Sequence, residues 1–232
     1  PKIEDICKFL LDKVPSITTL LYTINEKWND SFYELEPKVF YGKGYVIERL
    51  GEFNFKISAK SFFQTNTKQS EILYEVVKEF AALKGNENVY DLYCGTGSIG
   101  IFLSKEAGKI IGVDVIEDAI KDARENAELN QVNEASFYAG DVINICTDSF
   151  FTVHGKPHII IVDPPRAGLH QQLINKLLEI SAEKIIYVSC NVGTQARDLR
   201  LLNEKYQVVK VQPVDMFPHT FHIETVALLS LK

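Results

Sequence analysis

From residue 88 onward the chain alternates short β-type runs with helical stretches, and that alternation restricts the fold more than any other feature. Runs rich in Val, Ile and Tyr fall at 88–93, 109–114, 135–140, 158–162 and 184–189, with helical spacing at 98–107, 116–130, 169–180 and 193–204. A strand that leads into a helix cannot pair back on itself, so successive strands run parallel and the helices cover the sheet faces. Two final extended runs, 206–215 and 223–231, are joined by a short link at 216–222 and suit an antiparallel pair closing one edge. The expected class is α/β, a doubly wound sheet of seven strands.

What precedes residue 67 is of another kind. A helix over Ile3–Val14 leads into a β-branched run, Ile17–Ile24, and an irregular polar and aromatic stretch fills 25–43. A hairpin follows, Gly44–Leu50 and Phe53–Ile57 around Gly51-Glu52. A helix capped by Asn66 or Thr67, with Ile72, Leu73, Val76, Val77 and Phe80 on its apolar face, then ends near Gly85. The division expected is a small α+β unit at 1–66 and a Rossmann-like unit at 67–232.

At 232 residues and 46% apolar content the chain can bury a sizeable core, and it has no apolar run long enough for a membrane span. Cys7, Cys94, Cys146 and Cys190 form no C-x-x-C pair, which argues against a zinc knuckle or disulfide framework. A reducing cytoplasm is expected, and no metal. The chain begins at Pro1 and reads as part of a longer polypeptide. A formal charge of -6 gives no global basic field, so contact with nucleic acid has to come from a local patch or from segments outside this chain.

The candidate site lies where the strand runs end. Asp91-Leu92-Tyr93-Cys94-Gly95-Thr96-Gly97-Ser98-Ile99-Gly100 reads as strand end, glycine turn and helix start, the layout of a nucleotide loop in which Gly95 and Gly97 let backbone approach a ligand. Asp114 closes the next strand about twenty residues on, the spacing at which a carboxylate binds ribose hydroxyls. Asp141, after the third strand, suits either an adenine amino group or a helix cap. The fourth strand ends in Asp163-Pro164-Pro165-Arg166-Ala167-Gly168, where two prolines stiffen a turn carrying Asp163 and Arg166.

The fifth strand delivers Cys190 just ahead of a helix, a position expected to lower its pKa and make it a nucleophile. Glu224 opens the last strand among apolar residues, where partial burial would raise its pKa and make it an acid or base near neutrality. His219 and His222 suit supporting donors or plain solvated side chains. Cys7, Cys94 and Cys146 read as structural.

Five motifs in order resemble the RNA uracil-C5 methyltransferases: Ser61-Phe62-Phe63-Gln64-Thr65-Asn66, Asp91–Gly97, Asp163–Gly168, Ser189-Cys190-Asn191, and Phe217-Pro218-His219-Thr220 with His222-Ile223-Glu224. The resemblance spans 61–226, while the first sixty residues only look like that family's small central domain. It implies S-adenosylmethionine over the glycine loop, held by Gln64, Tyr93, Asp114 and Asp163, with Cys190 as nucleophile and Glu224 as proton acceptor. It also implies an RNA substrate, ribosomal RNA (23S in particular) rather than transfer RNA, met by Asp163, Arg166 and His222. The OB-like RNA-binding domain and the iron–sulfur cysteine cluster of such proteins have no counterpart in these residues, so weak RNA binding is expected of this chain alone.

The chemistry stands apart from the resemblance. Uracil C5 is a poor nucleophile until a thiolate adds to C6, and the C5 proton must leave before the thiolate is expelled. A cysteine and a carboxylate are therefore both required. RNA cytosine-C5 methyltransferases carry a second cysteine where this chain has Arg166. An amino-group methyltransferase would want an aromatic residue after Pro-Pro. An RNA-binding or assembly protein that kept only a cofactor pocket would need neither Cys190 nor Glu224.

Overall fold

The computed structural model describes residues 2–28 and 35–232. Part of the 25–43 connection, residues 29–34, lies outside the described residues. In chain order the elements are α1 (Ile3–Lys13), β1 (Leu20–Tyr22), β2 (Lys38–Tyr41), β3 (Tyr45–Leu50), β4 (Phe53–Ser58) and α2 (Thr67–Ala81). They continue as β5 (Asn88–Leu92), α3 (Ser98–Leu103), β6 (Lys109–Asp114), α4 (Glu117–Leu129), β7 (Ala135–Ala139), α5 (Val142–Ile145) and α6 (Asp148–His154). The last are β8 (Ile159–Val162), α7 (Gln171–Ile180), β9 (Lys184–Ser189), α8 (Val192–Leu202), β10 (Tyr206–Val214) and β11 (Glu224–Leu231).

Among the described residues one sheet has seven strands in the order β10-β11-β9-β8-β5-β6-β7, with β5 through β9 parallel and β11 antiparallel to both β9 and β10. The chain leaves β5 toward β6 and β7 on one side, then returns to β8 and β9 on the other. That reversal opens a crevice at the carboxyl end of β5, where open α/β sheets bind ligands.

Central strands bury both faces, which is why they read as unbroken apolar runs. Val89, Ile161, Ile186, Val188 and Val226 pack on the face covered by α2, α3 and α4, whereas Tyr90, Ile160, Val162, Ile185, Tyr187 and Leu229 fill the other core with α7. The antiparallel closing pair expected from sequence is present.

Several local expectations change. The β-branched run at 17–24 supplies only the short β1, paired with the unexpected β2. The helix expected over 98–107 stops at Leu103, where Ser104 bonds back to the Ile101 carbonyl through its amide at 3.1 Å and its hydroxyl at 2.7 Å, tightening the last turn. Ile72 is 50% exposed rather than on the apolar face of α2, and Ser70 and Tyr74 are buried in that face instead. The short helices α5 and α6 carry too few turns to show a helical period.

The β3–β4 hairpin, turned at Gly51 with φ +59, sits on α4 and in the main core. Leu50, Phe53 and Phe55 are buried together with Leu73 and Phe102. The α4 side chain of Asn126 acts as a strand edge, its Oδ1 accepting from Lys56 N at 2.7 Å and its Nδ2 donating to Lys56 O at 3.2 Å. Asp122 accepts from the Ser58 hydroxyl at 2.9 Å and the Ser61 hydroxyl at 2.6 Å. These contacts aim the following segment, 61–66, at the crevice.

Candidate active site

The glycine loop carries the chain from β5 into α3 on a left-handed path: Tyr93, Gly95 and Gly97 have φ of +67°, +52° and +75°. Its two glycines serve different needs. A Cβ at Gly95 would meet nothing within 4 Å, so that position faces open space, whereas one at Gly97 would stand 2.8 Å from the Phe137 ring. Both glycines were expected to clear room for a ligand; Gly95 leaves open space above the loop, whereas Gly97 clears room for the protein's own core. Tyr93 is the one non-glycine in the loop with positive φ, and its phenol is pushed up first by burial and then by the charges of Asp141 and Asp114.

Carboxylates tie the loop down. Asp114 accepts from Gly95 N and from Ile116 N, each at 2.9 Å. Asp91, fully buried, accepts from Gly100 N at 2.9 Å through Oδ2 while its Oδ1 has no partner. Burial raises its carboxyl to about 7, against the opposing Gly100 hydrogen bond, with the Asp114 charge adding to the rise. Asp141 accepts from Ile143 N at 2.8 Å, so its carboxylate is engaged in capping α5. Above the loop lies a small cavity lined by Phe63, Gln64, Tyr74, Tyr93, Gly95 and Asp163.

Across the crevice three strands deliver the remaining groups to one edge. Asp163 follows β8, Cys190 follows β9, and the first residue of the antiparallel β11 is Glu224. The register sets Thr225 opposite Ser189, which brings Glu224 beside the Cys190 turn. Glu224 is 8% exposed, and its carboxyl is pushed up by burial, with Arg166 opposing. Asp163 is raised well above the ordinary carboxylate range by burial, then by the charges of Glu224 and Asp91.

Cys190 departs from expectation. Its thiol is pushed up, not down, first by burial and then by Glu224 and Asp163, and the Arg166 charge only partly offsets this. The helix end that was expected to favour a thiolate is already occupied: Asn191 caps α8, its Oδ1 accepting from Gly193 N at 3.0 Å and Thr194 N at 3.4 Å. Cys190 therefore precedes the cap and gains little from the helix amides, while two carboxylates face it.

Arg166 is exposed, and its guanidinium stands 3.4 Å from His222 Nε2. Its carbonyl accepts from Asn191 Nδ2 at 3.1 Å and Thr194 Oγ1 at 3.2 Å, which joins the Pro-Pro loop to the cysteine turn. His219 is exposed. Cys94 and Cys146 are buried, with thiols pushed up chiefly by burial, and Cys7 is buried as well, in keeping with structural roles. Among the described residues no group of three or more His, Cys, Asp or Glu side chains is placed to hold a metal ion.

A family model described as tRNA (uracil-5-)-methyltransferase matches residues 34–232. The chain belongs to the tRNA (uracil-5-)-methyltransferase family. An uncharacterized RNA methyltransferase of Bacteroides thetaiotaomicron is 49% identical over 229 residues, 99% of this chain and 50% of that protein. Another, from Porphyromonas gingivalis, is 47% identical over 228 residues, 97% of this chain and 49% of the relative. The chain thus spans about half the length of the curated relatives it matches.

The same holds for a solved family member. Pyrococcus abyssi tRNA (uracil-54, C5)-methyltransferase in complex with S-adenosyl-L-homocysteine superposes with TM-score 0.80 and 35% identity over 94% of this chain and 52% of its own. The Methanocaldococcus jannaschii tRNA m1G37 methyltransferase, with TM-score 0.68 and 16% identity over 100% of this chain and 69% of its own, shares the fold alone.

In this chain of the tRNA (uracil-5-)-methyltransferase family several supporting contacts escape sequence reasoning. Asn66 both caps α2, accepting from Gln69 N at 3.3 Å, and donates to Met216 O at 2.8 Å, so it clamps the 61–66 segment to the link that precedes Glu224. Buried Gln195 donates to Tyr187 O at 2.9 Å and accepts from the Thr225 hydroxyl at 2.7 Å. Buried Asp198 accepts from Leu169 N and the Tyr187 hydroxyl, both at 2.7 Å, and from Arg197 Nε at 2.8 Å. Gln195, Asp198 and Leu202 recur at three- and four-residue spacing, so polar residues on an inward helical face were the available signal.

Proposed function

We propose that this chain is the catalytic part of an S-adenosylmethionine-dependent enzyme that methylates C5 of uracil in RNA to give 5-methyluridine. One observation carries the proposal: the β9–β11 register sets Thr225 opposite Ser189, so Glu224 stands beside the Cys190 turn at the sheet edge where Asp163 lines the cavity. The family and the fold support the same reaction class.

The cavity suits the methyl donor. Asp163 is the one carboxylate in its lining and has no hydrogen-bond donor among the described residues, and the space over Gly95 is open, a setting that favours a cationic ligand lying on backbone. S-adenosylmethionine supplies an electrophilic methyl group on a positively charged sulfur. Gln64, Tyr93, Gly95, Gly97, Asp114 and Asp163 are the residues we assign to hold it. Asp141 caps α5 at the same sheet edge, and we assign it only an outer place there.

On the substrate side the Cys190 thiolate adds to uracil C6, the C5=C6 π electrons move toward O4, and C5 becomes a nucleophile that would take the donor's methyl group, the electron pair of the broken C–S bond staying on the sulfur as a neutral thioether. C5 then bears both methyl and hydrogen. Glu224, held in an apolar edge that weakens it as an acid, accepts the C5 proton; the C–H electrons re-form C5=C6 and expel the thiolate. Asp163 and Arg166, with His222 beside the latter, face the pyrimidine and its phosphate. The target base has to leave its stack to reach this crevice.

Residues 1–66 and 67–232 are the small and catalytic units of this proposal. No helix among the described residues is long and apolar enough to cross a membrane, and a cytoplasmic setting goes with an RNA substrate. Ribosomal RNA in preference to transfer RNA is its finest part. The full-length protein, incubated with labelled donor and separately with ribosomal and transfer RNA, should yield 5-methyluridine on nucleoside analysis. Label in any other nucleoside, or none in either RNA, would overturn the proposal; label in transfer RNA alone would overturn the ribosomal preference.

A further inference from the structure

The link between β10 and β11 ends in an aromatic ring that nothing in the fold uses. Phe221 is 91% exposed, although its neighbours are well ordered by local hydrogen bonds: Thr220 N donates to Phe217 O at 2.9 Å, and His222 N donates to Thr220 Oγ1 at 3.2 Å. The preceding part of the link is clamped by Asn66 to Met216 O at 2.8 Å. A single exposed apolar side chain is ordinary on a protein surface; this one is set apart by the braced turn that presents it and by the groups beside it.

Its surroundings specify what would cover the ring. The Phe221 ring packs on His222 with centroids 4.3 Å apart, and His222 Nε2 stands 3.4 Å from the Arg166 guanidinium. Two residues further on, Glu224 enters the crevice. One ring thus continues through an imidazole to a cation, at the rim of the proposed reaction centre. Beside Phe221 the exposed residues Pro218, His219 and Thr220 are not large apolar side chains, and Ile223, 39% exposed, is the only other exposed large apolar residue of the link, too little for the patch protein partners bury. A single π face with an adjoining cation matches an unpaired nucleotide, with the base on the ring and the phosphate at the guanidinium. In a chain of charge -6 such a contact would have to serve in place of a broad basic surface.

We propose that Phe221 is a stacking shelf for an unpaired RNA base adjoining the target nucleotide, and that Arg166 takes the phosphate beside it. The substrate segment is therefore single-stranded on at least one side of the modified position. This rests on the RNA methyltransferase function proposed above.

The test measures binding of a single-stranded oligouridylate of about ten nucleotides carrying one 2-aminopurine, whose fluorescence falls when it stacks on an aromatic ring. The chain should quench the probe. Phe221→Ala should weaken binding about tenfold and abolish quenching, Phe221→Trp should restore both, and Phe221→Leu should restore neither. Because the ring is exposed, all three variants should unfold at the wild-type temperature. Equal affinity of wild type and Phe221→Ala, recovery with leucine, or no wild-type binding at about 1 mM protein would each overturn the shelf.

The two proposals fail differently. Phe221-dependent quenching without 5-methyluridine in any RNA sinks the uracil assignment and leaves the shelf standing. Methyl transfer with binding indifferent to Phe221 does the reverse.

Discussion

The two sides of the crevice treat their carboxylates in opposite ways. On the glycine-loop side, Asp114 and Asp141 are satisfied by backbone amides of the turns they follow, at 2.8 to 2.9 Å. On the β8–β9–β11 side, neither Asp163 nor Glu224 accepts a hydrogen bond among the described residues, and both are pushed up in pKa, burial being the leading cause. Asp114 and Asp141 spend their oxygens on loop amides, whereas Asp163 and Glu224, raised by burial and without donors, are poised to take protons. Asp91 stands between the two, with one oxygen bonded to Gly100 and the other unpartnered.

The sharpest break between the sides is chemical. Cys190→Ala should lower methyl transfer by about 10⁴-fold and form no covalent RNA complex, whereas Glu224→Gln should lose roughly 10²- to 10⁴-fold yet accumulate one, because the methylated adduct keeps its C5 proton. A denaturing gel with labelled RNA reads the adduct. Its appearance with Cys190→Ala would place the nucleophile elsewhere.

Asp91 tests whether the intermediate case belongs with the braced or the poised carboxylates. Its carboxyl, raised from 3.8 to about 7, binds a proton more tightly in the folded than in the unfolded chain. Its contribution to stability is therefore complete below about 4 and is lost as pH rises through about 7, by up to about 4 kcal/mol. Asp91→Asn should be more stable than wild type at pH 8 and should flatten this part of the pH dependence in thermal unfolding. An unchanged profile would mean that Asp91 is braced like Asp114.

Gly95 and Gly97 divide the loop side in turn. Gly97→Ala drives a methyl group to 2.8 Å from Phe137 at a φ of +75°, and should cost roughly 1 to 3 kcal/mol of stability. Gly95→Ala meets open space and should cost about 1 kcal/mol through backbone strain alone, with its larger effect on binding of S-adenosyl-L-homocysteine. Equal losses of melting temperature would remove the distinction.

The smallest effect concerns the thiol. Glu224 raises and Arg166 lowers the Cys190 pKa, so Glu224→Gln should shift iodoacetamide alkylation to lower pH and Arg166→Gln should shift it to higher pH. A shift in the same direction for both variants would deny that charge at the β11 edge governs the cysteine.

Much of the candidate site was legible because its residues sit at strand ends, which apolar runs mark clearly. Asp91, Asp114, Asp163, Cys190 and Glu224 all close or open such runs. Gln195 and Asp198 were not, nor was the second bond of the expected cap Asn66, since the partners, Thr225, Leu169 and Met216, lie far along the chain or on another element. Ile72 was misplaced because helical spacing alone does not say which side of α2 meets the sheet.

By itself the sequence determined the alternation of strands and helices, the glycine turn after the first of those strands, and the placing of a thiol and a carboxylate at strand ends. Those depend on a residue's own side chain and its near neighbours. Only the tertiary structure decided that the Cys190 thiol is raised rather than lowered, that Gly97 yields to Phe137, and that Phe221 stands bare beside Arg166. Burial and charge act through space, and the groups that set them here arrive on strands β5, β8, β9 and β11, which the sheet, not the chain order, makes neighbours.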